Sequence, residues 1–321
     1  MADQAQAPTR GATLKPAELA WLLQRHRIEP AGDGSPLAES ASAKAAADAA
    51  AFERDGLLGA EWKRALSVLS APDRQIRVLV PGVDASLLLF FYGRAGGELV
   101  GYWHDGEGAR VSFPWEPASI ASMGSLTLLA TPPPSPQPFT TYLSPPGLAL
   151  LAAAIDVLRE GLFRSILARE SEVARTFDGE ALLRQLQLGL SHHDTRWFVT
   201  LLNMLRPQGV PMGVSALGEG VEELAAAGLV RIDGATVTAS PSLIGLAMQL
   251  RSTLPAAAFE DAGVVGGSVT EYAYRIVVRG DGPLWVMDYG SVMEGRPMIQ
   301  VRSVGPGEYF DGLTDILSKR D

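Results

Sequence analysis

The sequence predicts an α+β fold: a central, mainly antiparallel sheet of quasi-twofold duplicated halves, flanking helices, and a winged-helix-like segment in the second half. Three observations carry it. Four β-like runs separated by short turns lie between Gln75 and Phe113, three more lie between Tyr272 and Ser303, and the apolar stretch between the two sets has helical spacing. Consecutive strands joined by short turns pair most readily as an antiparallel meander. The chain accordingly divides into an N-terminal α/β half (1–130), a Pro-rich connector (131–147), and a second part (148–321). The second part holds a helical layer, the winged-helix-like segment and a C-terminal α/β half.

Each element has its own signal. After a polar leader, Leu14 to Ile28 spaces its apolar residues as a helix does, with Pro16 at a tolerated early position. Pro30 to Ser42 reads as a loop, and the alanine-rich Ala43 to Phe52 as helix. Trp62, Leu66 and Leu69 share one helical face, and Pro72-Asp73 ends that helix. Gln75 to Val80 alternates polar with apolar up to Pro81-Gly82, the mark of a half-buried strand. Leu87 to Tyr92, Glu98 to Trp103 and Arg110 to Phe113 follow as strands, and Pro117 to Leu129 as a helix.

Thr131 to Pro138 carries five prolines and is extended, a stiff connector between halves, with a polyproline ligand as the alternative. Leu148 to Ala174 and Gly179 to Leu190 read as long helices. Thr195 to Leu205, Ser215 to Ala227 and a hairpin turning at Asp233-Gly234 give the winged-helix order. Pro241 to Leu254 is helix and Pro255 to Ser268 loop; then come strands Tyr272 to Val278, Leu284 to Tyr289 and Pro297 to Ser303, and a closing helix Pro306 to Leu317.

The two ends repeat an order of elements. Gly56-Leu57-Leu58 faces Gly228-Leu229-Val230, the strand Ile76 to Val80 faces Tyr274 to Val278, and Leu87 faces Leu284. Two such copies would join into one larger sheet about a pseudo-twofold axis.

Composition narrows the function classes. The chain of 321 residues is 47% hydrophobic and 20% charged, in the range of globular proteins that bury a substantial core. It has no cysteine, which removes disulfides and thiolate chemistry and fits a reducing, cytoplasmic setting. The first residues lack a basic and apolar export signal, and Leu148 to Val157 is too short before Arg159 to span a bilayer. The net charge of −9 argues against general affinity for nucleic acid or anionic lipid.

The segment from Phe52 to Leu129 prompts recognition, with Phe52-Glu53-Arg54-Asp55-Gly56-Leu57-Leu58, the helix around Trp62, Leu66 to Arg74, and the strand meander. Together with Leu284 to Tyr289, Gly295-Arg296-Pro297 and Tyr309 to Leu317, it resembles the EspG family of type VII (ESX) secretion chaperones over about two thirds of the chain. The resemblance implies a quasi-twofold α/β fold that holds a helical client, such as a PE–PPE pair or a WXG100-like secretion substrate, soluble before export. The central helices and the proline segment do not align with the family.

No P-loop, Gly-x-Ser-x-Gly elbow or complete Gly-x-Gly-x-x-Gly occurs. His192-His193-Asp194 reads as a solvated helix end, since a two-histidine metal motif on a helix needs i and i+4. Asp288 and Glu294 flank a turn and read as ordinary turn acids; Trp21, Trp62 and Trp197 read as core. No catalytic residue, metal or cofactor is expected. Tyr92, Tyr102 and Trp103 border hairpin turns and are the candidate partner-binding residues, with packing on the sheet as the alternative role.

A winged-helix DNA-binding regulator is the alternative function. Asp178 to Arg251 holds seven acids against five arginines, and the recognition-helix candidate Ser215 to Ala227 carries Glu219, Glu222 and Glu223 with no Lys or Arg, so it would repel phosphates.

Overall fold

The computed structural model describes residues 10–31, 35–42, 57–82, 86–94, 97–104, 106–128, 139–169, 175–206, 214–250, 255–265, 268–281, 283–293 and 295–318. The first half runs β1 (Arg10–Leu14), α1 (Pro16–His26), α2 (Ala38–Ser42), α3 (Ala60–Ser70), β2 (Arg74–Val80), β3 (Leu87–Gly93), β4 (Leu99–His104), β5 (Ala109–Trp115) and α4 (Pro117–Leu128). The middle runs β6 (Thr140–Leu143), α5 (Pro145–Ala168), β7 (Thr176–Asp178), α6 (Gly179–Ser191), α7 (Phe198–Leu205), α8 (Val214–Ala226), β8 (Val230–Asp233), β9 (Thr236–Ala239) and α9 (Pro241–Gln249). The end runs β10 (Ala256–Val265), β11 (Ser268–Arg279), β12 (Leu284–Met293), β13 (Arg296–Val304) and α10 (Pro306–Ser318).

Ten strands form one antiparallel sheet in the order β1-β5-β4-β3-β2-β10-β11-β12-β13-β6. Both ends of the chain therefore build the same sheet. They meet where β2 pairs with β10, from Ala258↔Leu79 to Gly263↔Arg74. Ion pairs cross this seam on both faces: Arg74 Nε donates diagonally to Asp261 Oδ1 at 2.8 Å, and Arg77 pairs with Glu260, its direct partner in the register.

Strand alternation sorts the core into two faces. Ile76, Val78, Leu89, Phe91, Phe259, Val277 and Val286 face the side covered by α4 and α10, where Ile120, Tyr309 and Leu313 complete the cluster. The opposite side is divided. Over the first half, α1 and α3 bury Leu19, Leu22, Trp62 and Leu66 against Tyr92, Val100, Tyr102 and Val111. Over the second half, α5 buries an unbroken run from Leu148 to Ile155 against Ile276, Val278, Trp285, Met287 and Val301, with α6, α7, α8 and α9 around it. A helical stretch apolar on all sides has to be enclosed, and Leu148 to Ile155 is, by the sheet and the other helices; nearer the end of α5, Phe163, Ile166 and Leu167 are exposed.

Several expectations are corrected. Pro255 to Ser268 is no loop: it holds β10, a central strand whose Ala256-Ala257-Ala258 has weak strand propensity and is fixed by pairing on both edges. The connector 131–147 contains sheet strand β6 and the start of α5, while residues 131–138 lie outside the described residues, as does the helix expected over 43–52. Residues 38–42, expected as loop, form α2; β1 and β7 were also unforeseen. The strand order puts a four-stranded meander and a following helix on each side of the β2–β10 seam. Position in that order matches β2 with β10, whereas the sequence alignment matched Ile76 to Val80 with β11. The hairpin β8–β9 is joined by β7 into a small sheet of order β7-β9-β8.

The helical layer is tied together by one buried acid. Trp197 cannot cap α7 with its side chain, and Asp156 of α5 does so instead, accepting from Phe198 N–H and Val199 N–H, each at 2.9 Å. Arg159, also buried, donates to the same carboxylate at 3.0 Å. Burial pushes the Asp156 carboxyl up to about 6, against the pull of the two backbone N–H groups and Arg159. Asp156→Ala leaves Arg159 buried beside an uncapped helix, with an expected loss of about 3–5 kcal/mol in chemical denaturation. A carboxyl raised on folding binds its proton more tightly in the folded state, so its contribution is present below the ordinary aspartate pKa and lost as pH rises towards about 6. The stability of the unsubstituted protein relative to Asp156→Asn is expected to fall across that window.

Candidate functional site

Residues 35–39 are held against the end of α3, since Ser35 Oγ donates to Leu69 O at 2.8 Å and accepts from Leu37 N–H at 3.1 Å. Between this segment and strands β3 and β4 an open cleft of ≈ 580 Å³ forms, within the range of small-molecule and anchor pockets. Its floor comes from alternate residues of β3. Leu88, Phe90 and Tyr92 lie at i, i+2 and i+4 and so point to one face. Tyr102 and His104 of β4 supply the other wall, and Pro36, Ala38 and Glu39 the rim.

The aromatic rings order one another. Phe90 stacks on Tyr92 at 6.4 Å, Tyr92 meets Tyr102 edge-on at 6.4 Å, and Tyr102 meets His104 edge-on at 5.5 Å. The tyrosines bury their rings, being 8% and 5% exposed, which leaves Phe90 and the 40%-exposed Leu88 as the accessible apolar surface. Tyr92 is pushed up to about 12 by burial and by Tyr102 beside it. Burial also raises Tyr102, with the Glu39 carboxylate adding to the rise.

Of the three residues singled out in the sequence, Tyr92 and Tyr102 come together here. Trp103 borders the cleft as well, but its side chain points to the opposite face of the sheet, as neighbours on a strand do. Its indole packs on the α4/α10 side, under Arg110 at 5.7 Å and over Gly101, where an added Cβ would lie 2.7 Å from the Trp103 ring and 2.9 Å from Trp115 Nε1. Leu88, Glu39 and His104 were missed. The Leu88-Phe90-Tyr92 alternation was visible; the approach of residues 35–39 was not.

A second accessible apolar surface lies where the sheet forks. β11 and β12 pair only between Arg275↔Asp288 and Arg279↔Leu284, and beyond that point each continues solely with its hairpin partner. Register shifts at Asp261/Ala262 and between Asp288 and Ser291 coincide with the fork, as bulges that bend strands would. Val265 and Val292 at the two tips are 69% and 71% exposed. At the base, Arg206 stacks against Tyr274 and Tyr289, 4.1 and 4.6 Å from the ring centroids.

Other residues considered from the sequence take structural positions. Asp288 pairs with Arg275, and Glu294 lies outside the described residues. His192 caps the end of α6 and both His192 and His193 are exposed. Trp62 is buried; Trp21 and Trp197 are partly exposed. Among the described residues, no three His, Asp or Glu side chains cluster as a metal site would, and no helix is long and apolar enough to cross a membrane.

No family model matches the chain, and no curated protein matches it.

The burial pattern separates scaffold from surface. Tyr92→Ala and Tyr102→Ala are expected to cost about 3–5 kcal/mol by emptying core volume, whereas Leu88→Ser should stay within about 1 kcal/mol. Thermal melts of the three variants check the division.

Proposed function

We propose that the protein is a non-enzymatic adaptor or chaperone that holds a helical client by its apolar tip, as the EspG-like sequence features imply. The aromatic cleft on β3 and β4 carries this proposal. It presents Phe90 and Leu88 on a floor of two buried, mutually braced tyrosines, and a rigid aromatic floor with an accessible apolar centre is what an interface anchor requires. A cytoplasmic site of action, before export of the client, belongs to the same proposal.

DNA binding is less well supported. α8 packs on α5, and Glu219 and Glu222 stand on its exposed side. Glu223 is engaged internally, accepting from Ser144 N–H at 2.9 Å and Ser144 Oγ at 2.8 Å. An acidic outer face repels the phosphates that a recognition helix must approach.

The test is co-expression with each helical protein encoded beside its gene, followed by light scattering on the eluted species. A stable complex is expected with one of them, and Phe90→Asp should weaken it by about 2 kcal/mol or more while leaving the melting temperature within a few degrees. Absence of any complex, or a complex indifferent to Phe90→Asp, counts against the proposal.

A further inference from the structure

The closing helix α10 is attached to the sheet less firmly than its burial suggests. Tyr309, Leu313 and Leu317, at i, i+4 and i+8, are each 1% exposed and face the core shared with α4. Polar atoms are buried with them. Among the described residues, Tyr309 Oη and Thr314 Oγ1 on the helix have no hydrogen-bond partner, nor does Arg275 Nε, which lies under Leu313 and Leu317. Each of these atoms has given up water and gained no bond in return, so lifting the helix restores its hydration. The polar ties at the two ends are weak. Glu308 meets Arg302 in an ion pair at the surface, and the Ile316 carbonyl accepts from Arg74 at 3.4 Å.

The helix is also weak in its own right. Its 13 residues are few for a helix to persist without packing. Gly307 and Gly312 lower its propensity further, although an added Cβ would meet nothing within 4 Å at either position. Asp311 and Asp315, both exposed, stand at i and i+4 as a repelling pair, and Asp315 lies in the last turn, where the helix dipole disfavours an acid. We propose that α10 is a releasable strap: it leaves the sheet as one unit while the ten strands stay paired, and it uncovers Phe259 and Arg275 where the sheet forks. The apolar face of the helix holds it down, and the polar atoms without partners set how easily it lifts.

Hydrogen/deuterium exchange of the full chain, read by mass spectrometry at denaturant concentrations below the unfolding transition, tests the strap. Amides of residues 306–318 should exchange faster than those of β10 and β11 and with a shallower dependence on denaturant. Gly312→Ala, which adds helix propensity, and Tyr309→Phe, which removes a buried hydroxyl, should each slow the α10 amides about threefold to tenfold. Ile276→Val weakens the opposite, α5-facing side of β11 and separates the two kinds of opening. It should speed the β10 and β11 amides about twofold to tenfold and leave the α10 rate as it was. An α10 rate that matches the strands, or rises with them in Ile276→Val, means that the helix unfolds only with the sheet and overturns the proposal. Faster α10 exchange in Tyr309→Phe means that the hydroxyl is satisfied in place, and overturns it as well.

Discussion

The seam between β2 and β10 is the contact on which the remaining architecture depends. Six residues of each strand pair there, and they are the sole bridge between the strands of the N-terminal half and those of the C-terminal half within the sheet. Strand pairing across a seam is a backbone interaction and tolerates sliding, but here register is pinned from both faces. Arg74 meets Asp261 under α10, where Arg74 also donates to the Ile316 carbonyl at 3.4 Å, and Arg77 meets Glu260 on the other side. A slip of one residue would send each charge to the wrong face, into apolar packing that could not satisfy it.

From that seam the layers follow. α4 and α10 pack on each other and cover the α4/α10 face across the seam, so one face of the sheet is a single core. The opposite face is not closed by one layer. The α1/α3 cluster stands over the first half and the α5 bundle over the second. The aromatic cleft belongs to the first of these, where residues 35–39 stop short of covering β3. Its floor is rigid because the rings that form it are also core; among the described residues, Leu88 is exposed at its centre and Phe90 is half-buried beside it.

Most of the secondary structure was legible because it is written in short-range pattern. Pro16, Pro117, Pro241 and Pro306 open helices, alternation marks β2, and short apolar runs mark β3 and the start of β12. β10 was not legible, since Ala256 to Ala258 says nothing about strand and the acids Glu260 and Asp261 suggest exposure. Their role depends on arginines more than 180 residues away, which no local window contains. The same holds for the candidate site. Tyr92, Tyr102 and Trp103 could be found from their positions beside turns, and all three border the cleft, although strand geometry sends the Trp103 indole to the opposite face. Glu39 and Phe90 gain meaning only once α2 lies beside β3.

The length of chain between the two sides of the seam bears on synthesis. Arg74 and Asp261 are 187 residues apart, and at ordinary elongation rates of about 5–20 residues per second the partner strand reaches β2 roughly 10–40 s after β2 itself. Throughout that interval the β2–β5 meander has an open hydrogen-bonding edge with Ile76 and Val78 on one side of it. A neighbouring nascent chain on the same polysome offers an identical edge. Arg74 and Arg77, unpartnered by their acids until β10 arrives, place two like charges on that edge and oppose its pairing with its own copy. The residues that lock the finished seam are thereby guards of the unfinished one.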